Sequence, residues 1–314
     1  MHSWLIHAGV LSLVLLLASC GATRQRADSP SAKKRLQVVT TVLPITLFTR
    51  AVAGECATVT ALIPANISPH DFQARPGDLA ALRQANVLVI NGLGMERFLD
   101  KLVAAAGNSQ LAVIDSSRGI ATIESTDDHA DHPHGQGQDH RAVNPHIWLD
   151  PLRAAQQVDT IRDGLVKADP GCAEGYRRNA AAYTSALRQL NSELASQLKP
   201  YSGKTFIAFH DVAPYFAQRY GLKADFLVDV PELNPSPADL QRVATEVKQT
   251  QLKALLSEPQ QGQGSFNTLA QDLGVTISVF DPMETGSAEA AKDPATYGRV
   301  MRRNVADLIQ AFGP

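Results

Sequence analysis

The chain has 314 residues, 44% of them hydrophobic, and a formal net charge of −2 at pH 7. That length suits two ordinary domains, and the apolar share suits a real core. The near-neutral balance offers no basic face, so a nucleic-acid partner is not expected.

An apolar run at 10–18 (VLSLVLLLA) opens the chain. It is too short to span a bilayer, which takes roughly 20 residues. It fits the apolar core of a secretory signal peptide over 1–19, although the start MHSWLIHAG carries histidines and no Lys or Arg. The run ends in Leu17-Ala18-Ser19-Cys20, which resembles the bacterial lipobox, where the cysteine is diacylated. Residues 20–35 then read as a polar, lipidated tether. The expectation is an exported protein held at the cell envelope by lipid on Cys20, on the periplasmic side or the outer face of the cytoplasmic membrane. Cys56 and Cys172 remain. A disulfide between them is open from sequence alone, and neither has metal-site spacing.

Strands are expected at 36–42, 57–63, 86–90 and 111–114, with helices such as 76–84 and 95–105 between them. A second set of strands follows at 205–209, 224–228, 254–257 and 276–280, with helices at 212–220, 237–249, 266–273 and 294–311. This alternation predicts an α/β fold of two similar lobes, each a parallel sheet with crossover helices, over 36–170 and 201–314. Joining them, at 171–200, is a helical stretch without Pro between Pro170 and Pro200. Tyr176, Ala180, Tyr183, Leu187, Leu190 and Leu194 recur there at helical spacing. Such a helix is roughly 40 Å long and stiff enough to limit hinge motion. Only 125–141 (STDDHADHPHGQGQDHR) breaks the pattern, as a polar loop.

The histidines carry the functional signal. Outside the signal segment, His129, His132, His134 and His140 fall in that loop, a weak accessory metal tract. His70, His146 and His210 remain, each beyond a strand or at its carboxyl end, and Asp281 stands in the same relation to the strand at 276–280. Open α/β sheets bind ligands at those ends. Two facing lobes then bring three imidazoles and a carboxylate to one cleft, a four-coordinate, nitrogen-rich set that suits zinc better than Mg²⁺ or Ca²⁺. Taken singly, a histidine at a strand end is more often a capping residue, and Asp before Pro is a common turn opener.

Seven segments together resemble the metal-binding lipoproteins of bacterial ABC importers, the cluster A-I solute-binding proteins. They are Pro69-His70-Asp71-Phe72, Asn91-Gly92-Leu93-Gly94-Met95-Glu96, Asn144-Pro145-His146-Ile147-Trp148-Leu149-Asp150-Pro151, Phe209-His210-Asp211, Tyr220-Gly221-Leu222, Glu258-Pro259-Gln260 and Asp281-Pro282. The resemblance covers essentially everything from about Leu36 onward. It implies two lobes on one long helix, a metal cleft between them with ligands His70, His146, His210 and Asp281, and delivery to the transmembrane subunit of an ABC permease. Manganese-type members commonly carry Glu where this chain has His210, and the His-rich loop precedes the second ligand motif as in zinc-type members. Both features point to Zn²⁺ as the carried ion, with Mn²⁺ the alternative. Ser68 departs from the acidic residue many members place there, and Asn234-Pro235-Ser236 from their Glu-Pro-Ser.

The rival from another class is a zinc metalloenzyme, in which three histidines leave a position open for activated water. No nucleophile elbow, phosphate loop or dinucleotide fingerprint is present, and Asp281 is expected to fill the fourth position. A binding protein, monomeric and not an enzyme, is therefore expected. A surface adhesin ranks last, since no adhesive repeat occurs.

Overall fold

The computed structural model describes residues 35–124, 143–231, 234–259 and 265–313. The signal segment, Cys20, most of the tether, and His129, His132, His134 and His140 lie outside the described residues.

The first lobe runs β1 (Leu36–Thr40), α1 (Leu43–Ala53), β2 (Ala57–Ala61), α2 (Pro76–Gln84), β3 (Val87–Ile90), α3 (Leu99–Ala106) and β4 (Ala112–Asp115). Then come α4 (Pro151–Ala168) and the long α5 (Ala173–Leu198). The second lobe runs β5 (Thr205–His210), α6 (Pro214–Tyr220), β6 (Lys223–Val228), α7 (Pro237–Thr250), β7 (Ala254–Ser257), α8 (Ser265–Leu273), β8 (Thr276–Val279) and α9 (Thr296–Phe312). Both sheets are parallel and four-stranded, ordered β2-β1-β3-β4 and β6-β5-β7-β8. The lobes thus repeat one topology, in which the connections reverse direction beside the first strand. The crevice where such sheets bind ligands opens at that switch point.

Two helices, α1 and α4, go beyond the elements expected from the sequence. In α1 nearly every side chain is buried, so its apolar run has little polar face to betray a helical period. In α4, Asp150 caps the N-terminus by accepting the Leu152 N–H at 2.9 Å, with Pro151 in the first turn. Conversely, α3 begins at Leu99, later than the expected 95. Gly92, Leu93 and Gly94 all have positive φ (87°, 58° and 78°). The buried Glu96 pins this turn by accepting the Asn91 and Gly92 N–H groups at 2.7 and 3.1 Å. Helix cannot start until the turn is complete.

The joining helix forms as its spacing predicts and buries Tyr176, Ala180, Thr184, Leu187, Leu190, Leu194 and Leu198. Tyr183 instead sits at the margin of that stripe, donating its hydroxyl to the Pro294 carbonyl at 2.9 Å. Through α5, one apolar core continues from Val38 and Trp148 to Phe206, Phe280 and Met301, so no polar seam divides the lobes. Cys56 and Cys172 form a disulfide that ties the α1–β2 turn to the start of α5.

Candidate metal centre

Four loops at the carboxyl ends of strands converge between the lobes. His70 lies in the irregular connection after β2, its backbone N–H donated to Ser68 Oγ at 3.3 Å. His146 precedes a short 3₁₀ turn, Ile147–Leu149, in the connection from β4 to α4. Asn144 sets it: its Oδ1 accepts the His146 backbone N–H at 3.0 Å and lies 2.9 Å from Nδ1. Asn144 in turn donates its amide to the Asp211 carbonyl of the other lobe at 2.7 Å, while its own carbonyl accepts from Tyr215 Oη at 2.7 Å. His210 ends β5, with Nδ1 2.5 Å from Glu258 Oε1 just past β7.

The fourth side chain is Glu284. Among the described residues, the group with ligand atoms within 4.8 Å of one another is His70, His146, His210 and Glu284, where Asp281 was expected as the fourth. Asp281 opens the turn instead, its Oδ1 accepting the Met283 N–H at 2.7 Å. Met283 then takes a positive φ of 59°. The Pro282 carbonyl is fixed by Trp148 Nε1 at 2.8 Å, and the Gly286 N–H by the Ala65 carbonyl at 2.6 Å. These anchors, both from the first lobe, present Glu284 to the centre.

Glu284 Oε1 lies 2.9 Å from His70 Nε2, 3.1 Å from His146 Nε2 and 3.7 Å from His210 Nε2. Ligands about 2.0–2.1 Å from a tetrahedral ion stand roughly 3.3 Å apart, so these spacings bracket what a small cation requires. Two fully buried atoms, His210 Nε2 and Glu284 Oε2, have no hydrogen-bond partner in the protein. Such orphans are costly unless a ligand satisfies them. His70 alone keeps appreciable exposure, with 18% of its side chain accessible. A cleft of about 410 Å³ opens beside it, bordered by Phe72, Leu93, Phe98 and Val230.

Electrostatics divide the group. Burial pushes His146 down to about 4, only partly opposed by Glu284, so it is a neutral imidazole. Burial opposes charge on His210 too, but Glu258 and Glu284 override it and lift His210 to about 10. Burial would raise Glu284, yet the charge of His210 and the hydrogen bonds with His146 and His70 hold it well below the usual carboxylate range. Burial raises Asp281 to about 6.

Two parallel lobes on one long helix, with a buried three-imidazole, one-carboxylate cluster between them, define the two-lobed solute-binding class. Within it, the profile described as zinc-uptake complex component A, periplasmic, matches residues 38–311, and the chain belongs to that family. The chain is similar to the zinc-binding lipoprotein AdcA of Streptococcus pneumoniae, 31% identical over 94% of this chain and 58% of the relative. It therefore spans little more than half the length of that relative. The high-affinity zinc uptake system protein ZnuA of Bacillus subtilis is 30% identical over 94% of this chain and 93% of its own length. Among solved structures, the Zn(II)-bound ZnuA-like domain of pneumococcal AdcA superposes with a TM-score of 0.74. It is 30% identical, covering 89% of this chain and all of that one.

Proposed function

We propose that this protein captures one zinc ion with His70, His146, His210 and Glu284 and delivers it to an ABC permease. The observation that carries the reading is the convergence of three Nε2 atoms on Glu284, with His210 Nε2 and Glu284 Oε2 buried and unpaired. Three neutral nitrogen donors and one carboxylate match zinc's preferred set and are poor in oxygen for manganese. The zinc-binding names of the relatives support the same cargo.

The four donors come from the protein itself and from both lobes. A tetrahedral ion held by them keeps no position for an activated water, which favours a carrier over a hydrolytic enzyme. The continuous core and α5 make the cleft largely preformed. Release then falls to the loops, with permease docking drawing one ligand away. Export under the 1–19 segment, lipidation at Cys20 and action as a monomer complete the reading. The loop histidines His129, His132, His134 and His140 would gather zinc weakly nearby.

The test is a competition titration of the metal-stripped protein with Zn²⁺ and Mn²⁺. One tight zinc site, lost in His210→Ala, is the expected result. Preference for manganese overturns the cargo, and absence of a tight site overturns the function.

A further inference from the structure

Glu258 is a buried acid in contact with the centre that lies outside the four-residue set. It follows β7 directly, and its side chain is wholly buried. Its Oε1 faces His210 Nδ1 at 2.5 Å and accepts the His210 backbone N–H at 3.2 Å. With Nδ1–H committed to this carboxylate, Nε2 is left to present its lone pair to the centre. Asn144 does the same geometric service for His146, but with a neutral amide oxygen. The two histidines are therefore oriented alike and polarised differently.

Charge gives the difference a purpose. Glu258 and Glu284 are two buried carboxylates, and three neutral imidazoles add nothing. A divalent ion brings this set to zero, which matters where net charge cannot be solvated. Asp281 also feels both carboxylates, and Arg303 partly compensates it.

The first lobe supplies an internal comparison. Thr41 lies directly past the end of β1, the strand that holds the same place in its sheet as β5. Thr41 also meets a buried carboxylate, donating its hydroxyl to Glu96 Oε1 at 2.5 Å. That lobe thus holds its buried acid with a hydroxyl and two backbone N–H groups, and with no histidine. Folding does not explain why the second lobe joins its acid to a histidine.

We propose that Glu258 is a positioning residue for metal capture: it fixes the His210 tautomer and supplies the second negative charge that holds a divalent ion. The inference rests on the four-residue centre being the zinc site. Its test is the zinc affinity of Glu258→Gln and Glu258→Asp in the full protein, by competition titration. Glu258→Gln keeps an oxygen acceptor and loses the charge. Its affinity should fall about 10- to 100-fold, the usual cost of losing such a partner. Its cobalt-loaded visible spectrum should remain tetrahedral. Glu258→Asp should lose less. Affinity of Glu258→Gln within twofold of the parent overturns the proposal, and so do equal losses in both variants, which would assign the effect to packing. Should neither variant fold, imidazole ¹⁵N spectra of the zinc-loaded parent decide: His210 must show a protonated Nδ1 and a metal-bound Nε2, and the reverse overturns it. Parental affinity in His146→Ala would instead sink the site itself, so the two failures are separable.

Discussion

Zinc capture at neutral pH should expel a proton from His210. In the metal-free protein, burial works against charge on this ring, but Glu258 and Glu284 raise it to about 10, so it is cationic across the physiological range. His146, lowered to about 4 by burial, has no proton to give there. Binding of Zn²⁺ at His210 Nε2 requires that nitrogen bare, so His210 contributes about one proton per ion. Linkage then predicts apparent zinc affinity rising roughly tenfold per pH unit, or about 30-fold from pH 7.5 to 9. An unperturbed histidine, ordinarily at 6.5, would leave affinity nearly flat over that window. The sign for the metal-free fold is opposite. His210's raised pKa contributes stability that is complete below about 6.5 and is lost as pH rises through about 10. Calorimetric titration at pH 7.5 in buffers of different ionisation enthalpy measures the proton directly. Heats that do not depend on the buffer, together with flat affinity from pH 7.5 to 9, would refute the coupling of His210 to the two carboxylates.

Other outcomes follow from the same geometry. Glu284→Gln should weaken zinc binding by at least 100-fold, since removing one member of a buried charged set costs about 3–5 kcal/mol, whereas Asp281→Asn should stay within about threefold; competition titration of both checks the assignment. Trp148→Phe orphans the buried Pro282 carbonyl and should cost about 1–3 kcal/mol in denaturant unfolding, with weaker zinc binding because the Glu284 loop loses its anchor. Asn144→Ala frees the His146 ring and should lower zinc affinity about 10- to 100-fold without abolishing it, read by the same titration. The paired substitution Cys56→Ser and Cys172→Ser opens a link across 116 positions and should cost about 2–5 kcal/mol of stability while leaving zinc affinity unchanged in the folded protein.

The alternation of β-branched runs with amphipathic segments made both lobes readable, because most of their strands and crossover helices carry their own local period, the buried α1 being an exception. His70, His146 and His210 were readable because their positions relative to strand ends already put them at the cleft. Glu284 was hidden for a physical reason. At the end of β8 two acids compete, and which one reaches the centre depends on Met283's positive φ and on a Trp148 bond to Pro282 that spans 134 positions. Asp281, adjacent to the strand and followed by Pro, has the local signature of a ligand but serves as the turn opener. Glu258 was visible only as part of a matching segment, since its partner His210 lies 48 positions away. Contacts of that range leave no trace in periodicity.

The pairing of Thr41 with Glu96 in one lobe and His210 with Glu258 in the other has a wider consequence. Each lobe holds a buried acid in a socket near its switch point, bound by a hydroxyl and turn amides in one lobe and by the His210 ring and backbone N–H in the other. A socket of this kind is a general starting point: an acid already shielded from water needs only a neighbouring imidazole to become half of a metal receptor. Placing histidine at position 41 asks whether specificity in such scaffolds is spread through the fold or concentrated at one residue per lobe.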